Sequence, residues 1–237
     1  MSTTVKEASP SETRGATARR KRVTIQRVST TEAIANELTR SILDGTYSAG
    51  TYLREVDLSE QYGVSRQSLR AALASVAHQG LLRHEAHRGV RVPVISRRDL
   101  QDIYYMRMLL ETEAIRHLCL HPEVWPPIDR AVAVLEALPN DTRWADLVEA
   151  DLAIHRQIIN AVGSPRLRRA YAMIDAESRL AIVPGQHHQT KPMIAREHRA
   201  LLDVVKLGDP EASIARFREH LWFGTEEILA RLPEDAG

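Results

Sequence analysis

The 237-residue sequence predicts a mainly α-helical protein: an N-terminal winged helix-turn-helix followed by an all-α six-helix bundle. Three observations predict it. A short helical run, a glycine and a longer helical run lead into two short β-like runs. Beyond Pro93 every apolar stretch has helical period and ends at a Pro- or Gly-containing break. Charge also divides at this point. Residues 1–98 hold sixteen Lys/Arg against nine Asp/Glu, net +7, and the remainder holds sixteen against twenty-two, net −6. A basic first part joined to an acidic second implies polyanion binding by the first alone. The expected organisation is an arm over 1–28, a winged helix over 29–95, a helical domain over 96–232 and a tail over 233–237.

Residues 1–28 are rich in Ser, Thr, Ala and Arg and lack apolar periodicity, which reads as a disordered arm ending in Arg19-Arg20-Lys21-Arg22. It serves either as a solubilising tail or as a phosphate-contacting arm. From Thr31, the spacing of Ile34, Leu38 and Ile42 predicts a helix closed by Asp44-Gly45. A short helix over 57–62 is expected to open at Asp57, with Glu60 in capping-box spacing. Gly63 turns the chain, and Ser65 caps a helix running to about Gln79, where Gly80 stops it. Leu81-Leu82-Arg83 and Val90-Arg91-Val92 read as strands joined by a tip at Ala86-His87-Arg88-Gly89. Further helices are expected near 97–119, 123–138, 142–162, 166–183, 191–206 and 210–231. Their breaks fall at Pro122, Pro139-Asn140, Gly163-Ser164-Pro165, Pro184-Gly185 and Gly208-Asp209-Pro210.

The helix after Ser65 has an apolar back of Leu69, Ala72, Leu73 and Val76, and an outer face of Gln67, Arg70, Ala71 and Ala74 with Arg66 in the first turn. A helix that reads base edges needs this division. Arg66 and Arg70 can each engage guanine bidentately, and Gln67 can pair with adenine. Ser65 and Arg54 suit backbone contacts. Arg88 at the wing tip can enter a minor groove, with Gly89 permitting a tight turn. The positive charge and the hairpin favour double-stranded DNA over an ordinary three-helix packing unit.

Asp151 and His155 are four residues apart, so a helix sets both on one face. His198 lies ten residues before Gly208 and His220 twelve after it. At about 1.5 Å per residue, two antiparallel helices bring these imidazoles to nearly the same height. A lone buried His is usually a hydrogen-bonded core residue; three with a carboxylate on facing sides point to a divalent metal. Ligands without sulfur suit Zn, Ni, Co or Mn and do not separate them. Arg107 shares a face with Ile103, Leu110 and Ala114 and calls for a partner. A ligand carboxylate would pair with it bidentately, and Glu111 at i+4 would pair with it within the helix. Arg179 is a further candidate for the same pocket. His187 and His188 read as solvated loop, Cys119 between His117 and His121 as core, and Trp125, Trp144 and Trp222 as core or interface.

The run Ile42-Leu43-Asp44-Gly45 through Ala49-Gly50-Thr51-Tyr52-Leu53-Arg54-Glu55, then Leu58, Gly63-Val64-Ser65-Arg66, Leu69-Arg70-Ala71-Ala72-Leu73, Gly80-Leu81-Leu82 and Arg88-Gly89-Val90-Arg91-Val92, resembles the GntR-type winged helix. It departs from that pattern at Gln67-Ser68-Leu69, where Thr-Pro-Val is usual, and at Ala71, where Glu is usual; Val56 stands where some members have a base-contacting Arg. Operator sequence is therefore not carried over. Residues 100–230 resemble the ligand-binding domain of the FadR subfamily in its metal-binding, six-helix, VanR-like form, through Arg107 with Leu110-Glu111, Asp151-x-x-x-His155, Glu197-His198 and His220. That resemblance implies a divalent metal held by Asp151, His155, His198 and His220, with a small organic acid beside it.

The single Cys119 excludes an intrachain disulfide and fits a reducing compartment. No segment approaches the ~20 apolar residues of a membrane span, and no secretory h-region opens the chain, so a cytoplasmic location is expected. The expectation is a ligand-responsive transcriptional regulator, a homodimeric repressor whose two recognition helices meet two operator half-sites. Two rivals remain: a metal sensor with no organic effector, and a helical-bundle metalloenzyme. The second lacks a general base at motif spacing and leaves the winged helix unexplained.

Overall fold

The computed structural model describes residues 29–85, 89–183, 189–223 and 225–234. The expected arm, Arg88 at the wing tip, His187 and His188 lie outside the described residues.

Helix α1 (Thr30–Leu43) starts where the Ser29 side chain accepts from the Glu32 N–H. It buries Ile34, Leu38 and Ile42, the expected stripe. A two-residue strand β1 (Tyr52–Leu53) follows. Then come α2 (Glu55–Tyr62), α3 (Arg66–His78), β2 (Arg83–Glu85) and β3 (Gly89–Arg91). The antiparallel sheet has the order β1-β3-β2.

Three local expectations shift. Helix α2 opens two residues before Asp57, with Arg54 as its N-cap and no side-chain capping bond. Glu55 and Asp57 in its first turn oppose the positive end of the helix dipole instead. Leu81 and Leu82 are buried core residues, and the strand begins at Arg83. β1 was not expected, because two residues are too few for a period-2 pattern to register.

Gly63 closes α2 at φ 62°, the left-handed turn a helix-turn-helix needs and most side chains resist. Ser65 caps α3 through the Ser68 N–H at 3.1 Å. Leu69, Ala72, Leu73 and Val76 are buried on one face of α3 as predicted.

The rest is helical: α4 (Arg97–Leu120), α5 (Pro126–Ala137), α6 (Trp144–Ala161), α7 (Pro165–Ile182), α8 (Lys191–Val205), α9 (Pro210–Trp222) and the short α10 (Thr225–Leu229). A 3-10 turn at Pro122–Val124 precedes α5. A capping box between Ser96 and Asp99 opens α4, which packs against α6, α7 and α9. The expected final helix is broken after Trp222; Gly224 in the sequence was the available signal. Between α8 and α9, Gly208 adopts φ 78° and Asp209 caps α9 by accepting from Glu211 and Ala212. Among the described residues no helix is long and apolar enough to cross a membrane.

The first part joins the bundle through α1 against α6. Asp44, just past α1, receives the Arg143 guanidinium and the Ala145 N–H at the start of α6. Apolar packing is continuous from α1 and α3 into the helical domain.

Candidate metal centre and nucleic-acid interface

Helix α6 carries Asp151 and His155 one turn apart, α8 carries His198, and α9 carries His220. The three imidazoles offer donor atoms that all lie within 4.8 Å of one another. His155 Nε2 lies 3.4 Å from both His198 Nε2 and His220 Nε2. Asp151 joins through His198, its Oδ1 standing 3.3 Å from Nε2.

The outward ring nitrogens decide what faces inward. His198 Nδ1 lies 2.9 Å from the Ile194 carbonyl, which only accepts, so Nδ1 carries the proton. His155 Nδ1 lies 2.5 Å from Glu111 Oε2. Burial alone would raise the Glu111 carboxyl, but Arg107 and His155 beside it hold it down to about 2, so it too accepts. In their neutral forms His155 and His198 therefore direct Nε2 lone pairs at each other, and Asp151 adds a carboxylate oxygen. Acceptors facing acceptors inside a protein repel unless a cation sits among them. His220 Nδ1 is buried without a partner among the described residues. Burial first, then His198, His155 and Arg107, keeps the His220 imidazole well below its ordinary value, ready as a neutral ligand. This donor set fits a borderline divalent ion.

Glu111 is the outer support. Its Oε1 accepts from Arg107 Nε and from the Tyr171 hydroxyl, both at 2.8 Å, and its Oε2 serves His155. A carboxylate behind a ligating His fixes tautomer and ring orientation. In the sequence Glu111 is legible as the i+4 partner of Arg107 and as part of the motif with Leu110; its tie to His155 spans 44 residues and has no local signature.

Arg107 is buried, 2% exposed, yet only part of its guanidinium is satisfied. Glu111 takes Nε, while Nη2 has no partner among the described residues. Arg107, the three imidazoles, Asp151 and Trp144 line one cavity. The cavity volume is about 40 Å³, and part of it opens to solvent.

On the basic part, Ser65, Arg66, Gln67 and Arg70 are exposed at the start of α3, with Ala71 and Ala74 beside them. This leaves a low, donor-bearing surface of the kind that enters a groove.

Residues 30–92 match the family described as bacterial regulatory proteins, gntR family, and residues 102–222 match the FCD domain. The chain belongs to the GntR family.

This GntR-family protein is a DNA-binding transcriptional regulator, and its FCD domain fits the FadR subfamily; relatives of this kind regulate transcription and are not enzymes. It is 26% identical to a probable D-xylose utilization operon transcriptional repressor from Paenarthrobacter nicotinovorans, over 90% of this chain and 91% of the relative. It is 25% identical to the HTH-type transcriptional regulator YdhC of Bacillus subtilis, over 84% of this chain and 91% of that one. The solved structure of E. coli McbR/YncC shares its fold at 18% identity and TM-score 0.63, covering 86% of this chain and 99% of that one.

The remaining predicted residues of the GntR protein are placed as follows. Arg54 is exposed at the head of α2. Arg70 is exposed but its Nε is 2.6 Å from Glu55 Oε2. Gly89 has φ 91°, and a Cβ there would come 3.0 Å from the Leu53 carbonyl, so β1–β3 pairing itself demands glycine. Arg179 is not among the residues lining the cavity. It lies with Arg156 in an ion network on Asp175 and Glu149. Trp144, expected as core or interface, walls the cavity, and its indole Nε1 is buried without a partner among the described residues. Cys119 is buried, and His117 stacks on His121 at 4.0 Å between centroids.

Proposed function

We propose that this protein is a homodimeric repressor that binds a pseudo-palindromic duplex operator and is released by a small organic acid. The acid binds beside a divalent metal held by Asp151, His155, His198 and His220. One observation carries this reading: the unpartnered Nη2 of buried Arg107 and the inward nitrogens of three imidazoles share one cavity. The metal would supply a Lewis-acidic position for an anionic oxygen, and Arg107 would take another oxygen of the same carboxylate. A relative named as a repressor supports the sign. Two recognition helices, presented by α3 of each copy, require a dimer to meet two half-sites. Arg66, Gln67 and Arg70 read base edges, Arg88 enters a minor groove, and Ser65, Arg54 and Gly89 lie near the sugar-phosphate chain.

The acid acts by binding one arrangement of the domains more tightly, and a hundredfold change in operator affinity needs a difference of about 2.7 kcal/mol. The test is a titration of the zinc-loaded protein, bound to duplex DNA selected from a random pool, with acetate, lactate and citrate. Wild type is expected to release DNA with at least one of these acids, and Arg107→Lys to need far more of it. Lys keeps a charge against Glu111 while withdrawing the free Nη2. Operator binding that follows zinc alone, with no response to any acid, would make the ion itself the signal and refute this reading.

A further inference from the structure

Three residues that line the cavity each carry a buried polar atom with no partner among the described residues: Arg107 Nη2, His220 Nδ1 and Trp144 Nε1. The metal and carboxylate account uses the first two residues and leaves the third unexplained. An indole N–H is a donor only, and a buried donor without an acceptor costs about 1–3 kcal/mol. Trp144 walls the cavity, so an occupant of the cavity can supply that acceptor.

We propose that Trp144 is a specificity-determining residue that selects an acid carrying a second, neutral oxygen acceptor, an oxo or hydroxyl group away from its carboxylate. This inference rests on the acid reading of the same cavity. The acceptor is neutral for an electrostatic reason. Trp144 offers no charge, and a second carboxylate would add an anion to a space that Asp151 already lines. The hydrocarbon between the two oxygens has apolar walls to meet in Val148, Ile182 and Ile228. A site built to donate a hydrogen bond rejects an analogue of the same shape without an acceptor more strongly than an apolar pocket rejects a missing methylene.

The test uses zinc-loaded, full-length protein and two isosteric pairs: 4-oxopentanoate against 4-methylpentanoate, and 5-oxohexanoate against 5-methylhexanoate. By calorimetry, wild type should prefer at least one oxo acid to its methyl counterpart by about tenfold or more. In Trp144→Phe the preference should fall to within about twofold, with the methyl acids binding as before. A second readout needs no change at Trp144. With Trp125→Phe and Trp222→Phe combined, one indole N–H resonance remains, and it should move downfield with the oxo acid and not with the methyl acid. If the acids bind without discrimination, or the resonance ignores the oxo group, the role of Trp144 is refuted and the acid reading stands. If none of the four acids binds the zinc-loaded wild type while acetate, lactate or citrate still releases DNA, the role of Trp144 is refuted and the acid reading stands; if no acid of either set binds, the acid reading fails and this inference with it.

Discussion

Arg143 Nε donates to Asp44 Oδ2 at 2.9 Å, joining the head of α6, which carries Asp151 and His155, to the end of the first helix of the DNA-binding part. The same carboxylate accepts the Ala145 N–H at 2.9 Å through Oδ1. Helix α6 has no side-chain cap of its own at Arg143. Asp44 therefore caps it from the other domain, and the residue between its two partners is Trp144, a wall of the cavity. Occupancy of that cavity and the seating of the winged helix thus share one short segment.

Asp44→Ala should cost about 1 kcal/mol of stability, the usual value of a lost N-cap, because Arg143 is half exposed and adds little. Urea denaturation of the metal-loaded protein measures it. Operator affinity without acid should stay within about threefold of wild type, while the release of DNA by acid should be blunted. Asp44→Asn, which keeps an oxygen for the Ala145 N–H, should restore much of the stability. An unchanged acid response in Asp44→Ala would move the coupling route elsewhere.

On the DNA face, Arg66→Ala should lose about 1–3 kcal/mol of operator affinity, concentrated at one base pair. Arg70 differs from Arg66 in being held by Glu55. The pair is exposed, so it orients the guanidinium more than it stabilises the fold. Glu55→Gln should accordingly leave stability unchanged, tighten binding to any duplex by removing an anion near the phosphates, and weaken discrimination at one base pair if Arg70 contacts a base edge. Fluorescence anisotropy against selected and scrambled duplexes over a salt series separates these effects.

Much of this was legible because helices announce themselves locally. Apolar residues at i, i+3 and i+4 placed α1 and α3, and Gly208-Asp209-Pro210 placed the reversal that sets His198 opposite His220. Asp151 and His155 needed only the four-residue spacing. What the sequence does not make legible depends on contacts distant along the chain. Glu111 looked like a mate for Arg107 because i+4 pairing is local, whereas its bond to His155 comes from α4 packing on α6. Arg179 looked available, but Asp175 one turn back and Glu149 on the neighbouring helix engage it. Asp44 carried a helix-ending signal whose second use, as a cap for α6, needed the two domains in contact.

Glu111→Gln isolates the outer support of the candidate metal centre. The amide keeps the shape but removes the negative charge that holds the His155 Nδ1 proton and opposes Arg107. Metal affinity should fall by about 10–100-fold, as for other second-layer carboxylates. Competition with a chromophoric chelator measures it. His198→Ala combined with His220→Ala should instead abolish binding, leaving no metal by elemental analysis after gel filtration. Equal zinc content in that double variant and wild type would refute the site outright.

The pH dependence of the metal-free protein follows from the same imidazoles. Burial lowers His198, with Asp151 partly offsetting it, and burial together with His198 and His155 lowers His220 well below the ordinary value of 6.5. Groups with depressed folded-state values take up protons more readily when unfolded. Their stabilisation is therefore complete above about pH 6.5 and is lost as pH falls below it. Urea midpoints of the metal-free protein should decline steadily from pH 7 to pH 5. Saturating zinc should displace that decline toward lower pH, because the ion competes with protons for the inward nitrogens. His220→Gln should flatten the metal-free curve while lowering its plateau. A metal-free protein equally stable at pH 5 and pH 7 would mean that these imidazoles titrate normally, and that the cavity is far wetter than its burial implies.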